Sequence, residues 1–210
     1  MNPEIARKFI ANQETGTGVS NDKLGMWIFL ASEVIFFAVL IAGVFVLRLR
    51  NLEDWAIHKE AGTATFLATV NTFILIMSSV FVVSAIDAIQ RGKEQMMKLW
   101  LWLTLIGGCI FLFVQSLEWA ELEHGLHEIG LPAGIVGGAQ ESIFASGFYT
   151  LTGFHGTHVA IGVLLLIYVL IRAHRGDFTP RQYNALEMWG LYWHFVDLVW
   201  IILFTILYLL

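Results

Sequence analysis

The sequence is short of charge and nearly without cysteine. Of its 210 residues only 14% are charged and 57% are hydrophobic, whereas soluble domains carry roughly 25% charged residues. No polar stretch is long enough to build a separate soluble domain, so 1–210 reads as one membrane domain. The single cysteine, Cys109, stands in an apolar run. It excludes a disulfide framework and a cysteine-based metal site, and reads as a small apolar filler. The formal net charge of -5 would argue against nucleic acid in a soluble protein; here its distribution matters more than the sum, and no nucleic-acid partner is expected. Residues 1–22 are polar and lack an apolar h-region, so no cleaved signal peptide is expected there. Internal repeats and low-complexity segments are absent.

What the sequence does contain is five long apolar runs, at about 24–47, 62–89, 99–117, 143–171 and 188–210. Each meets the roughly 18–20 residues that a spanning helix needs. They are continuously apolar, not alternating, which excludes barrel strands. The expected fold is all-α: a polytopic, five-transmembrane-helix bundle. Lys and Arg set the expected orientation. Nine fall on one side (Arg7, Lys8, Lys23, Arg91, Lys93, Lys98, Arg172, Arg175, Arg181) and three on the other (Arg48, Arg50, Lys59). The N-terminus is therefore expected inside and the C-terminus outside. Trp27, Trp55, Trp100, Trp102, Trp119 and Trp189 fall near span ends and read as an aromatic belt. The segment 118–141 holds five Glu with His124 and His127. Its loose spacings and helix-breaking glycines favour a solvated acidic loop over a metal site.

Ionisable side chains in hydrocarbon cost roughly 2.5–3.5 kcal/mol each even on a lenient scale, so those inside the spans mark places that matter. Glu33 lies in the first span, His155 and His158 in the fourth, and His194 with Asp197 in the fifth. His155 and His158, three apart, share a helix face. Together these residues are expected to form an intramembrane polar network, with the three histidines as candidate partners of Glu33. The structural reading is helix–helix hydrogen bonds of about 0.6 kcal/mol each; the functional reading is a proton or lipid site. Thr152, Gly156 and Ala160 recur every fourth residue as a smooth stripe, where another helix can approach closely. His155-x-x-His158 with His194-x-x-Asp197 is superficially like the histidine boxes of membrane di-iron enzymes. Those boxes need a larger set than the seven His present here, four of which lie in loops or at span ends. No catalytic residue and no metal ligand is assigned.

At these residues the chain resembles subunit III of the haem–copper terminal oxidases (cytochrome c oxidase subunit III). The first span carries Trp27-Ile-Phe-Leu-Ala-Ser-Glu33-Val-Ile-Phe-Phe37, and the second Asn71-Thr72 followed by Ser78-Ser79. The fourth carries Thr152-Gly-Phe-His-Gly-Thr-His158-Val, and the fifth Tyr192-Trp-His-Phe-Val-Asp-Leu-Val-Trp200. Longer family members have two further N-terminal spans, so the likeness is to the five-span bacterial form. In the longer members those two helices wall a lipid-holding cleft, which here is either missing a side or completed by another subunit. The resemblance implies a multi-pass subunit of the bacterial plasma (inner) membrane with no haem or copper of its own. Its expected partners are the haem- and copper-bearing subunit I, other oxidase subunits and membrane lipids, with bound phospholipid as its expected ligand. It would stabilise subunit I and support proton uptake while the complex reduces oxygen to water. Glu33 would be the family's proton-related or cleft carboxylate. The alternatives are a related subunit of a quinol oxidase or nitric oxide reductase, and an independent small proton channel or transporter.

Overall fold

A backbone in hydrocarbon must satisfy its own polar groups, and a helix does so within one segment. Each apolar run accordingly folds as helix over its described residues. The computed structural model describes residues 20–52, 55, 65–128 and 143–209, with Thr65 and 126–128 described by their backbone alone. The helices are α1 (Asn21–Arg50), α2 (Thr65–Gln90), α3 (Glu94–Glu128), α4 (Ile143–Arg175) and α5 (Asn184–Phe204), the last continuing into a π-helical turn at Thr205–Leu209. All five are long and apolar enough to cross a membrane. Thr179 and Gln182 form an isolated bridge in the α4–α5 turn.

The helix ends are tied in two layers. At one end Lys23 pairs with Glu187 at 2.6 Å and Asn184 donates to Asp22 at 2.9 Å, joining the start of α1 to the start of α5. Gln90 donates to the Tyr183 hydroxyl at 3.0 Å, bringing the end of α2 to the same place. Two tight turns close α2 and α4 here, and both use a glycine at positive φ: Gly92 at 71° and Gly176 at 78°. The Lys93 and Asp177 amides reach back to the Ala88 and Arg172 carbonyls at 2.8 and 3.2 Å, a helix stop that only a residue without Cβ enters freely. At the opposite end the Tyr208 hydroxyl donates to Glu118 and that of Tyr149 to the Trp119 carbonyl.

Helix α3 differs from its apolar run. It continues past Leu117 to Glu128, so the first part of the expected acidic loop is helical; the remainder lies outside the described residues. The extension is held by burial. Leu122 is fully enclosed and Glu118, only 4% exposed, is hydrogen-bonded to Tyr208.

The core is organised by α5. Three of its indoles are buried, and each donates to another helix: Trp189 to the Gly162 carbonyl on α4 (3.0 Å), Trp193 to the Ser78 hydroxyl (2.9 Å) and Trp200 to the Thr72 hydroxyl (2.9 Å), the last two on α2. Both hydroxyls donate back to their own helix, Ser78 to Leu75 and Thr72 to Ala68, so each accepts an indole N–H without competing for it. A buried indole needs such an acceptor. Of the tryptophans read as a belt, Trp27 and Trp102 are exposed, whereas Trp189 and Trp55 are buried and the Trp119 N–H is bonded to Thr152, so these three serve the helix contacts.

Candidate functional site

Helix α1 touches the bundle along a narrow line and is otherwise open, with Trp27, Ile28, Val34, Ile35 and Val39 all exposed. The inward line carries Glu33, about 18 Å along the helix from Asn21 at 1.5 Å per residue. Glu33 Oε2 lies 3.1 Å from His158 Nε2 on α4. Both side chains are mostly enclosed, at 18% and 15% exposure. The Phe37 ring stands edge-on to the imidazole at 5.0 Å, with Phe36 at 6.3 Å.

The other imidazole nitrogen determines what this pair can do. His158 Nδ1 lies 2.7 Å from the Phe154 carbonyl, which can only accept, so Nδ1 carries a proton. A neutral His158 then has a lone pair at Nε2 and accepts from a Glu33 carboxylic acid. A charged His158 donates there to a Glu33 carboxylate. One proton lies between the two groups, and passing it across requires no rearrangement of either side chain.

The pair opens on a cleft of about 530 Å³ between α1, α4 and α5. Apart from Glu33, His158 and Tyr192, its walls are apolar or aromatic, among them Met26, Phe29 and Leu165. Tyr192 donates to the His158 carbonyl at 2.9 Å and stacks on Phe29 at 6.2 Å, fixing the α5 side of the cleft.

The other expected members of the network lie elsewhere. His155 is fully buried, stacked 4.9 Å from Trp200 with Phe111 edge-on at 5.8 Å, and neither nitrogen has a hydrogen-bond partner among the described residues. A spacing of three residues turns the helix about 60° short of a full circle. That is enough to aim His158 at α1 and His155 into the α3–α5 core. His194 bonds through Nδ1 to Ser79 of α2 at 3.0 Å, with Asp197 beside the same hydroxyl. The expected single network is thus three places: a cleft pair, a core histidine and an α2–α5 seam. Among the described residues no three His, Cys, Asp or Glu side chains gather as a metal site.

The small-residue stripe faces α3. Gln115 donates to the Thr152 carbonyl at 2.7 Å and Trp119 to the Thr152 hydroxyl at 3.1 Å. A Cβ on Gly156 would stand 3.0 Å from Gln115 Oε1. Ala160 is half-buried on the same side, in a shallow groove of about 260 Å³. A leucine at Gly156 has to displace Gln115, so Gly156→Leu is expected to cost about 1–3 kcal/mol. The measurement is the yield of monodisperse protein after heating in detergent; a yield equal to the parent's would mean the seam yields freely.

Sequence reasoning missed the Glu118–Tyr208 pair and the indole anchors. Nothing in the local pattern marks Glu118 apart from its acidic neighbours, since its partner lies ninety residues away. The tryptophan, serine and threonine positions were visible but unpaired.

Fold and site together define a polytopic membrane protein whose buried polar side chains pair helix with helix. Comparison with known proteins carries this further. The chain belongs to the cytochrome c oxidase subunit III family, whose profile matches residues 10–210. It is thereby an accessory subunit of the haem–copper oxidase type, and membership implies association with other oxidase subunits. It is 38% identical over 188 residues to cytochrome c oxidase subunit 3 of Thermostichus vulcanus, covering 89% of this chain and 86% of that one. It is 36% identical to quinol oxidase subunit 3 of Bacillus spizizenii, covering 89% and 86% respectively. It is also 36% identical over 211 residues to cytochrome c oxidase subunit 3 of Bacillus subtilis, covering 98% and 94%.

Proposed function

We propose that this chain flanks the haem- and copper-bearing subunit I of a respiratory oxidase in a bacterial plasma membrane, with its N-terminus inside and its C-terminus outside. There it stabilises the catalytic subunit through turnover and supports proton uptake; oxygen is reduced to water elsewhere in the complex. The observation that carries the proton and stability role is the Glu33–His158 hydrogen bond at the head of the cleft. A carboxyl–imidazole pair that shares one proton can take up and release charge without moving helices. An apolar cleft beside it holds an acyl chain and keeps water from the pair. The open outer face of α1 is where helices of a partner subunit pack, replacing the wall that longer family members build for themselves.

A quinol-oxidizing complex is the second reading, supported by the similarity to the Bacillus spizizenii protein. Purification from native membranes in mild detergent tests the proposal. The chain is expected to copurify with haem-bearing subunits at fixed stoichiometry, and reduction of the isolated complex by cytochrome c or by a quinol assigns the donor. A chain that purifies alone and conducts protons in vesicles would replace both readings with an independent channel.

A further inference from the structure

We infer that a second groove, between α3 and α4, is a specific site for an anionic phospholipid of the leaflet that meets the start of α1. The groove encloses about 420 Å³ and is separate from the Glu33 cleft, with which it shares no lining residue. Its α4 wall is one face at helical spacing: Ile167, Leu170, Ile171, His174 and Arg175. Its α3 wall is Trp102 and Leu105. From Arg175 to Ile167 this face runs about 12 Å along the helix. The apolar residues lie deep and the basic ones lie at the helix end, the same polarity gradient that a phospholipid has along its length.

Charge at the mouth decides the headgroup. Of the acidic side chains at this end, Asp177 pairs with Arg172 at 3.0 Å, Asp87 with Arg91 and Glu187 with Lys23, while Glu94 lies one turn before Lys98 on α3 with no ion pair among the described residues. Arg175 and Lys98, the latter one turn before Trp102 on α3, have no ion pair among the described residues. His174 donates from Nδ1 to the Leu170 carbonyl at 2.9 Å, which leaves Nε2 free at the rim. Its ring stands edge-on to Trp102 at 6.2 Å, so the two walls touch at the mouth and hold it in shape. Arg175 on the groove wall, with Lys98 one turn before Trp102, puts positive charge at the end of an apolar groove between spanning helices, which matches a phosphodiester headgroup with one acyl chain laid along Leu105 and Ile167. A zwitterionic lipid brings its own cation to the mouth and loses that advantage. An uncharged partner helix leaves both cations unpaired.

The inference stands independently of the complex in which the chain resides, so the experiment applies to the complex or to the chain alone. The protein is purified from membranes containing phosphatidylglycerol and phosphatidylcholine, and the lipids retained after detergent washing are counted by native mass spectrometry. The parent is expected to keep one phosphatidylglycerol per chain that is absent from Arg175→Gln/Lys98→Gln. Ile171→Trp, which fills the groove without touching its charge, should lose the same lipid. Equal retention by the parent and both variants overturns the inference. So does retention of phosphatidylcholine in place of phosphatidylglycerol, or a loss confined to Ile171→Trp. A partner subunit that crosslinks to a cysteine placed at Ile171 would show the groove covered by protein and overturn it as well.

Discussion

Valine at Gly162 is expected to leave little folded protein in the membrane. Trp193 is held between two glycines on different helices. A Cβ on Gly162 of α4 would meet its six-membered ring at 2.9 Å, and a Cβ on Gly108 of α3 would meet Trp193 Cη2 and Val163 at the same distance. The ring has no room to retreat, because its N–H is bonded to Ser78 of α2 and the side chain is only 1% exposed. Overpacking of this kind costs typically about 1–3 kcal/mol, at a point where three helices would have to part together. The readout is the fraction of protein that stays monodisperse in detergent on heating. Gly43→Val is the control, since nothing lies within 4 Å of a Cβ there, and it should behave as the parent. Trp193→Leu combined with Gly162→Val should cost less than the two changes summed, because they compete for one volume. Full additivity would show that the clash is relieved elsewhere.

Glu33→Gln is expected to leave the initial turnover rate of the complex near that of the parent and to shorten its active lifetime. The amide still donates to His158 Nε2, so the hydrogen bond survives in form, but no proton can pass along it. Exchanging a bond that can be charge-assisted for a neutral one, at a loss of about 1 kcal/mol, corresponds to roughly fivefold in lifetime. Glu33→Asp should retain part of the function, with its carboxyl drawn back by one methylene. His158→Phe, which keeps the ring between Phe36 and Phe37 while removing both nitrogens, should reproduce the Glu33→Gln defect. Haem content should be unchanged in all three. The measurement follows turnover from the first seconds to inactivation; a lifetime equal to the parent's in Glu33→Gln would reduce the pair to a structural hydrogen bond.

The spans were legible in the sequence because length and absence of charge are sufficient in hydrocarbon, and no tertiary contact is needed to specify them. Glu33 was legible for the same reason, as a carboxyl that has to find a partner. Which histidine it finds was not legible. His155, His158 and His194 all lie inside spans, and the choice depends on how α4 and α5 are rotated about their axes. That rotation is set by side chains such as Trp193 and Trp200, which bind to hydroxyls more than a hundred residues away. The extension of α3 was hidden in the opposite sense. Glu118 and its acidic neighbours look solvated, and only the distant Tyr208 makes burial of that carboxyl affordable.

The indole anchors of α5 also bear on how the chain is made. Ribosomes deliver spans in order, and α5 arrives after α1 to α4 have entered the bilayer. Until it does, the hydroxyls of Thr72 and Ser78 wait for their donors, and the Gly108 and Gly162 surfaces face each other across an unfilled slot. The first four helices pack on one another without it, α2 on α3 and α3 on α4, but the slot between them stays open. The core is therefore closed by the part of the chain made last: only when Trp193 and Trp200 arrive is the slot between Gly108 and Gly162 filled and the α2 hydroxyls given their donors.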